Sequence, residues 1–204
     1  MEKVKEEKHI LITGGAGYVG SMLCGHLLRL GYSVTVVDDL LYGGESLLAY
    51  YSHPGFRFIK ANVCESRTIR NSVSDRVPIP EAIIHLAGIV GFPACQAVGR
   101  HVAWRYNVEA AQQVYEQGLD MGVSRFIYAS TYSTYGATRG DLPATETSIL
   151  NPQSLYAETV VGVEKFLLNQ SDNSCKPVIF RMAHLFGLSP RPRFDLIVNQ
   201  FVWE

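Results

Sequence analysis

The chain has 204 residues, 47% of them hydrophobic, with 18 basic against 19 acidic side chains and a formal net charge of -1. One domain around a single core is the expectation for that length and balance. Charged residues make up only 18% and include no long Lys/Arg run, which argues against a nucleic-acid or anionic-membrane partner.

The opening MEKVKEEKHI alternates acids and bases and has neither the apolar region nor the small-residue cleavage site of a signal peptide. No uninterrupted apolar stretch is long enough for a bilayer. Cys24, Cys64, Cys95 and Cys175 are widely spaced without a CxxC pair, so no zinc site, no other metal site and no disulfide framework is expected, and a reducing cytoplasm is the expected compartment.

Along the chain, HILIT before the first glycines predicts a strand from Lys8 to Thr13, and SMLCGHLLRL, ending at Gly31, predicts an amphipathic helix. Further strands are expected at Tyr32 to Asp39, Phe56 to Ala61, Glu81 to Ala87, Ser124 to Ser130 and Pro177 to Arg181. Helices are expected at Val102 to Met121 and from about Pro152 to Leu168. Six apolar strands joined by segments too long for hairpins imply a parallel sheet covered on both faces, an α/β doubly wound (Rossmann) fold. At the end of the chain Phe194, Ile197, Val198 and Phe201 share a helical face that nothing later in the sequence covers.

The segment Thr13-Gly14-Gly15-Ala16-Gly17-Tyr18-Val19-Gly20 lies between the first strand and the first helix. Glycines there allow a tight turn and let a pyrophosphate approach backbone N–H groups at the positive end of the helix. A glycine cluster alone is often only a turn. The strand before this one, the helix after it and the acid at the end of the second strand turn a weak motif into a dinucleotide signature. Asp38 is placed to accept hydrogen bonds from the adenosine ribose and to repel a 2′-phosphate, favouring NAD over NADP. Either Asp38 or Asp39 could instead cap a turn, and Asn62 could contact adenine or close an Asx-turn. His85 sits in an apolar run and is read as a satisfied core histidine with no catalytic role.

TGGAGYVG, Asp38, the HLAG of His85 to Gly88, Asn107, the ASTYSTYG of Ala129 to Gly136 and Tyr156 in SLYAE occur in an order and spacing that resemble the extended short-chain dehydrogenase/reductase family, specifically its nucleotide-sugar epimerases and dehydratases. The resemblance runs from about Lys8 to Pro190. It implies an NAD site formed by Gly14, Gly17, Tyr18, Val19, Gly20, Asp38, Asp39, Asn62, Val63, Leu86, Ala87 and Gly88, with Asn107 holding the active-site helix. It also implies a nucleotide-sugar substrate, catalysis by Thr131 and Tyr156 with Tyr156 also touching the cofactor, and a homodimer through the two long helices. As a phenolate the tyrosine would take a proton from a sugar hydroxyl while a ring carbon gives a hydride to NAD. Without the family's spacing, Thr131 reads as a turn hydroxyl and Tyr156 as an amphipathic residue at a helix start.

Two departures bear on activity. The family pattern has a lysine one turn after the tyrosine; this chain has Val160. An unassisted tyrosine, with an ordinary pKa of about 10, is about one part in a thousand phenolate at neutral pH. Lys165 lies nine residues on, at about 100° per residue, and falls on the opposite helix face. Arg181, His184 and the charge of the oxidised nicotinamide are the remaining sources of positive charge. The family also continues into a smaller substrate lobe, so residues 1–190 are expected to form the NAD-binding domain and residues 191–204 the start of a truncated substrate-binding region. The alternative to an oxidoreductase is a catalytically impaired NAD-binding pseudoenzyme or interaction module.

Overall fold

A computed structural model describes residues 8–73, 77–137, 143–170 and 174–204; the charged opening run lies outside the described residues. Six strands form one parallel sheet: β1 (His9–Thr13), β2 (Ser33–Asp38), β3 (Phe56–Lys60), β4 (Ala82–His85), β5 (Arg125–Thr131) and β6 (Lys176–Met182), in the spatial order β3-β2-β1-β4-β5-β6. The chain runs outward in one direction from β1 and then, after β3, outward in the other from β4. The two halves diverge between β1 and β4, and the crevice of a doubly wound sheet opens at that reversal.

Alternation along the strands divides the core in two. Ile10, Ile12, Val34 and Val36 face α1 (Tyr18–Arg29), where Cys24 and Leu28 meet them. Leu11, Val37, Ile83 and Phe126 face the other layer, formed by α4 (Ala110–Asp120) and α5 (Leu155–Leu168). Each Leu or Ile so buried contributes about 1.5–3 kcal/mol. Tyr115 of α4 is fully buried, donates its hydroxyl to the Cys175 carbonyl (3.1 Å) and packs edge-on against Phe126 and Phe166.

The helix expected from Val102 begins ten residues earlier. α3 (Phe92–Trp104) starts after Gly91 and bends at Gly99, whose φ of 80° lies in the left-handed region. It passes through a π turn at Arg105–Glu109 into α4. Gly91, Pro93 and Gly99 interrupt the apolar period that would have revealed its first half. A short helix, α2 (Thr68–Ser72), precedes β4. α5 starts at Leu155 rather than Pro152, because Ser154 caps it by accepting a bond from the Ala157 N–H at 3.1 Å.

At the C-terminal end, α6 (Ile197–Trp203) buries none of its residues, and Phe194, Ile197 and Phe201 are 50%, 54% and 73% exposed. Phe194 precedes the helix, and the apolar face that Ile197, Val198 and Phe201 leave does not dock on the sheet. What docks is the segment before it. Ser189 donates to the Tyr18 carbonyl at 2.7 Å, and the Tyr18 hydroxyl donates to the Gly187 carbonyl at 2.7 Å while accepting from Asn199 at 3.2 Å. No helix among the described residues is long and apolar enough to cross a membrane.

Candidate active site

The carboxyl ends of β1, β2, β4, β5 and β6 open onto one cleft of about 740 Å³. Its floor begins at the glycine turn. Gly14 has φ 71°, and a Cβ there would stand 2.5 Å from the Ala87 nitrogen, so no other residue fits. At Gly20 a Cβ would come within 2.4 Å of the Gly14 carbonyl oxygen, and the missing side chain lets α1 sit directly against the turn. Gly17 differs in degree, because it precedes α1 with no side-chain cap and an ordinary φ of -74°, and a Cβ there would stand 3.2 Å from the Gly14 carbonyl oxygen. The first turn of α1 holds no acid, and its open N–H groups suit an anion.

Asp38 connects this turn to the second strand. Its Oδ2 accepts from the Ala16 N–H and its Oδ1 from the Leu40 N–H, both at 2.9 Å. Burial pushes the Asp38 carboxyl above its ordinary range, opposed by those two backbone donors and by Arg191. Asp39 closes a turn by accepting from the Leu41 N–H at 3.1 Å. Asn62 forms the Asx-turn, accepting from the Cys64 N–H at 2.9 Å, and its amide donates to the Tyr106 hydroxyl at 3.3 Å. Tyr18, Val19, Val63, Leu86, Ala87 and Gly88 also line the cleft.

Asn107, in the π turn, is buried and fully used. Its Oδ1 accepts from the Ile89 N–H (2.7 Å), and its amide donates to the Ile89 carbonyl and to the Thr159 hydroxyl, both at 3.0 Å. It fastens the loop after β4 to α5. On the next strand end, Thr131 bonds within its own turn, accepting from the Ser133 N–H at 3.2 Å. Tyr156, on the first turn of α5, reaches the same cleft, and so does Val160, which is 2% exposed. Burial pushes the Tyr156 phenol up to about 12; Cys95 raises it further and Arg193 opposes.

Two expectations need correction. Arg181 cannot serve Tyr156, because its Nε and Nη2 grip the buried Glu164 carboxylate at 2.7–3.1 Å while Nη1 donates to the Tyr135 hydroxyl and the Glu146 carbonyl. Glu164 also accepts from the Ser130 hydroxyl. His85 is only half satisfied: Nδ1 bonds the Thr13 hydroxyl at 2.7 Å, and Nε2 is buried without a hydrogen-bond partner among the described residues. Burial pushes its pKa down to about 4.

Lys165 is exposed and away from the cleft, as its helical angle requires. Sequence reasoning missed the segment after β6. Arg191 lies over the Tyr42 ring at 4.4 Å, and Arg193 forks onto Asp195 at 2.7 and 2.6 Å; all four residues line the cleft. Two arginines in a proline-broken stretch were the available signal, but no periodicity ties them to the glycine turn.

A doubly wound sheet with a glycine turn, an acid at the end of the second strand and a Thr/Tyr pair beyond the reversal defines a dinucleotide-binding protein of the short-chain dehydrogenase/reductase type. The family model for NAD dependent epimerase/dehydratase proteins matches residues 10–202, and the chain belongs to that family. It is 30% identical over 194 residues to the UDP-glucose 4-epimerase of Bacillus subtilis, covering 90% of this chain and 55% of that protein. Over 202 residues it is 28% identical to the low-salt glycan biosynthesis protein Agl12 of Haloferax volcanii, covering 95% of this chain and 61% of that one. The UDP-Glc/GlcNAc 4-epimerase structure from Campylobacter jejuni superposes with a TM-score of 0.77 at 25% identity, covering 85% of this chain and 53% of that one. The UDP-glucuronic acid 4-epimerase of Bacillus cereus in complex with NAD shares the fold, with a TM-score of 0.80 at 24% identity over 95% of this chain and 61% of that one. The chain thus spans roughly half to three-fifths of the length of the relatives it matches.

Proposed function

We propose that this chain binds NAD across the β1/β4 reversal and takes part in oxidoreduction of a nucleotide sugar, as an epimerase or dehydratase. The observation that carries this reading is that one cleft holds the glycine turn, Asp38, Thr131 and Tyr156. Relatives named as UDP-sugar epimerases support the substrate class. The open N–H groups after Gly17 would hold the pyrophosphate, and the remaining lone pairs of Asp38 the adenosine ribose. Bound NAD supplies a reversible hydride acceptor. Thr131 hydrogen-bonds the sugar hydroxyl, and Tyr156, as phenolate, takes its proton.

On this reading residues 1–190 form the NAD-binding domain, residues 191–204 open the substrate-binding region, the long helices pair two copies, and the protein works in the cytoplasm. Mixing the protein with NAD and a panel of UDP- and dTDP-sugars is expected to give absorbance of reduced nicotinamide. Bound NAD without that signal for any sugar contradicts the oxidoreductase reading.

Val160 favours a second reading, an NAD-binding module without turnover. If so, Val160→Lys gains activity that the parent lacks. Equal turnover in both proteins eliminates this alternative.

A further inference from the structure

With Val160 where the family pattern has its lysine, α5 offers Tyr156 no cation. Among the described residues, the permanent positive charges lining the cleft are Arg191 and Arg193, both on the segment after β6. β5 and β6 pair in parallel through Thr131 and Met182, so that segment leaves the sheet beside the Thr131 turn. Arg191 lies over the Tyr42 ring at 4.4 Å, and its charge acts on Asp38. It belongs to the adenosine end of the cleft. Arg193 is placed otherwise. Its carbonyl accepts from the Asn199 amide at 2.9 Å, and the same amide donates to the Tyr18 hydroxyl at 3.2 Å, so its backbone is anchored to the first turn of α1. Its guanidinium is held by Asp195 at 2.7 and 2.6 Å and its side chain is 23% exposed.

Building on the nucleotide-sugar reading above, we propose that Arg193 supplies to Tyr156 the positive charge that Val160 cannot, and so favours the phenolate that takes the sugar proton. Arg193 acts through Tyr156 and touches no reacting atom. The phenol first loses its proton to solvent, and the guanidinium stabilises the anion left behind. The sugar O–H bond then breaks as its proton passes to the phenolate oxygen. The carbon-bound hydrogen leaves with its electron pair by the hydride chemistry described above, so the alcohol carbon becomes a carbonyl.

The other cations are committed or distant. Arg181 grips Glu164, and Lys165 is exposed away from the cleft. His184 is taken up by Tyr132, whose hydroxyl lies 2.7 Å from its Nε2. His85 is buried and bonded to Thr13. The groups that face Tyr156 are Cys95 from α3, Tyr128 from β5 and Arg193 from the segment after β6, with His184 and Asp195 on the same walls. Of these Cys95 raises the phenol and Arg193 lowers it, and Tyr156 in turn raises the Arg193 guanidinium. An arginine stays charged at every pH the fold meets, so its influence does not depend on its own titration.

The first test needs no turnover. Ring-carbon NMR of the tyrosines, with Tyr156→Phe identifying the signal, follows ionisation of the phenol in the protein without dinucleotide. Arg193→Gln is combined with Asp195→Asn and compared with Asp195→Asn alone, so that no unpaired carboxylate contributes. Loss of the guanidinium should leave at least about threefold less phenolate at a given pH, while Arg193→Lys in the same background should stay within about twofold. Equal ionisation with Gln, Lys and Arg at position 193 overturns the proposal. The second test mixes the NAD complex with UDP-glucose, UDP-galactose or UDP-glucuronate and follows nicotinamide reduction against pH. Arg193→Gln should move the acid limb to higher pH and lower kcat on it at least about threefold, with KM within about twofold and Val160→Lys restoring the loss. A raised KM with the limb unmoved makes Arg193 a substrate contact and overturns this assignment alone. A parent that binds NAD and reduces none with any of these nucleotide sugars overturns the oxidoreductase reading, and the first test then decides by itself whether Arg193 serves Tyr156.

Discussion

Val160 stands one helical turn beyond Tyr156 on α5, and both side chains face the same cleft. The family pattern puts a cation at that position, and here the wall is aliphatic. A phenol surrounded by apolar groups loses the solvation of its anion, which is the dominant cause of its raised pKa.

Val160→Lys is therefore expected to lower the Tyr156 phenol from about 12 by at least one unit, increasing its phenolate roughly tenfold at a given pH. Ultraviolet difference titration, with Tyr156→Phe as the subtraction control, reads this directly. Because Val160 is packed in the core, some thermal destabilisation should accompany the change.

The pH dependence of stability has a clear sign at His85. Its folded pKa of about 4 lies below the ordinary value of 6.5, so as pH falls the unfolded chain takes up the proton first. The stabilisation is complete above about pH 6.5 and is lost as pH falls toward 4, by roughly 3 kcal/mol. Denaturant titrations across that window should show the loss. His85→Phe, which can stack between Phe126 and Tyr128, should flatten it.

Gly17 and Gly20 separate binding from folding. At Gly20 an added methyl meets backbone at 2.4 Å, so Gly20→Ala should cost a few kcal/mol or prevent folding. At Gly17 an added methyl would meet the Gly14 carbonyl oxygen at 3.2 Å, a close contact but a milder one, so Gly17→Ala should cost less stability than Gly20→Ala while losing about tenfold or more in NAD affinity. Thermal unfolding and calorimetry on the two variants check this.

Glu164 is 1% exposed in its side chain and carries Arg181 and Ser130. Glu164→Gln leaves the guanidinium without its counter-charge and is expected to cost about 3 kcal/mol in denaturant unfolding, with NAD affinity little changed.

The central strands β1, β2 and β4 were legible because each is a short apolar run buried on both faces, with Val34, Val36 and Val37 the plainest case. The glycine turn was legible because Gly14 and Gly20 are required by backbone contacts. The first half of α3 was hidden by Gly99, and the docking of Ser189 on Tyr18 by a separation of 171 residues with no periodic pattern. Thr131 and Tyr156 were found by resemblance, whereas the partnership of Tyr132 with His184 depends on strand register, which periodicity alone cannot supply.

The central claim is that the turn from Gly14 to Gly20 and Asp38 together form an NAD site. Calorimetric titration with NAD and with NADP addresses it most directly. One site per chain is expected, with NAD favoured at least about tenfold and the preference reduced in Asp38→Asn. No binding of either dinucleotide, or a preference for NADP in the parent, would contradict the account.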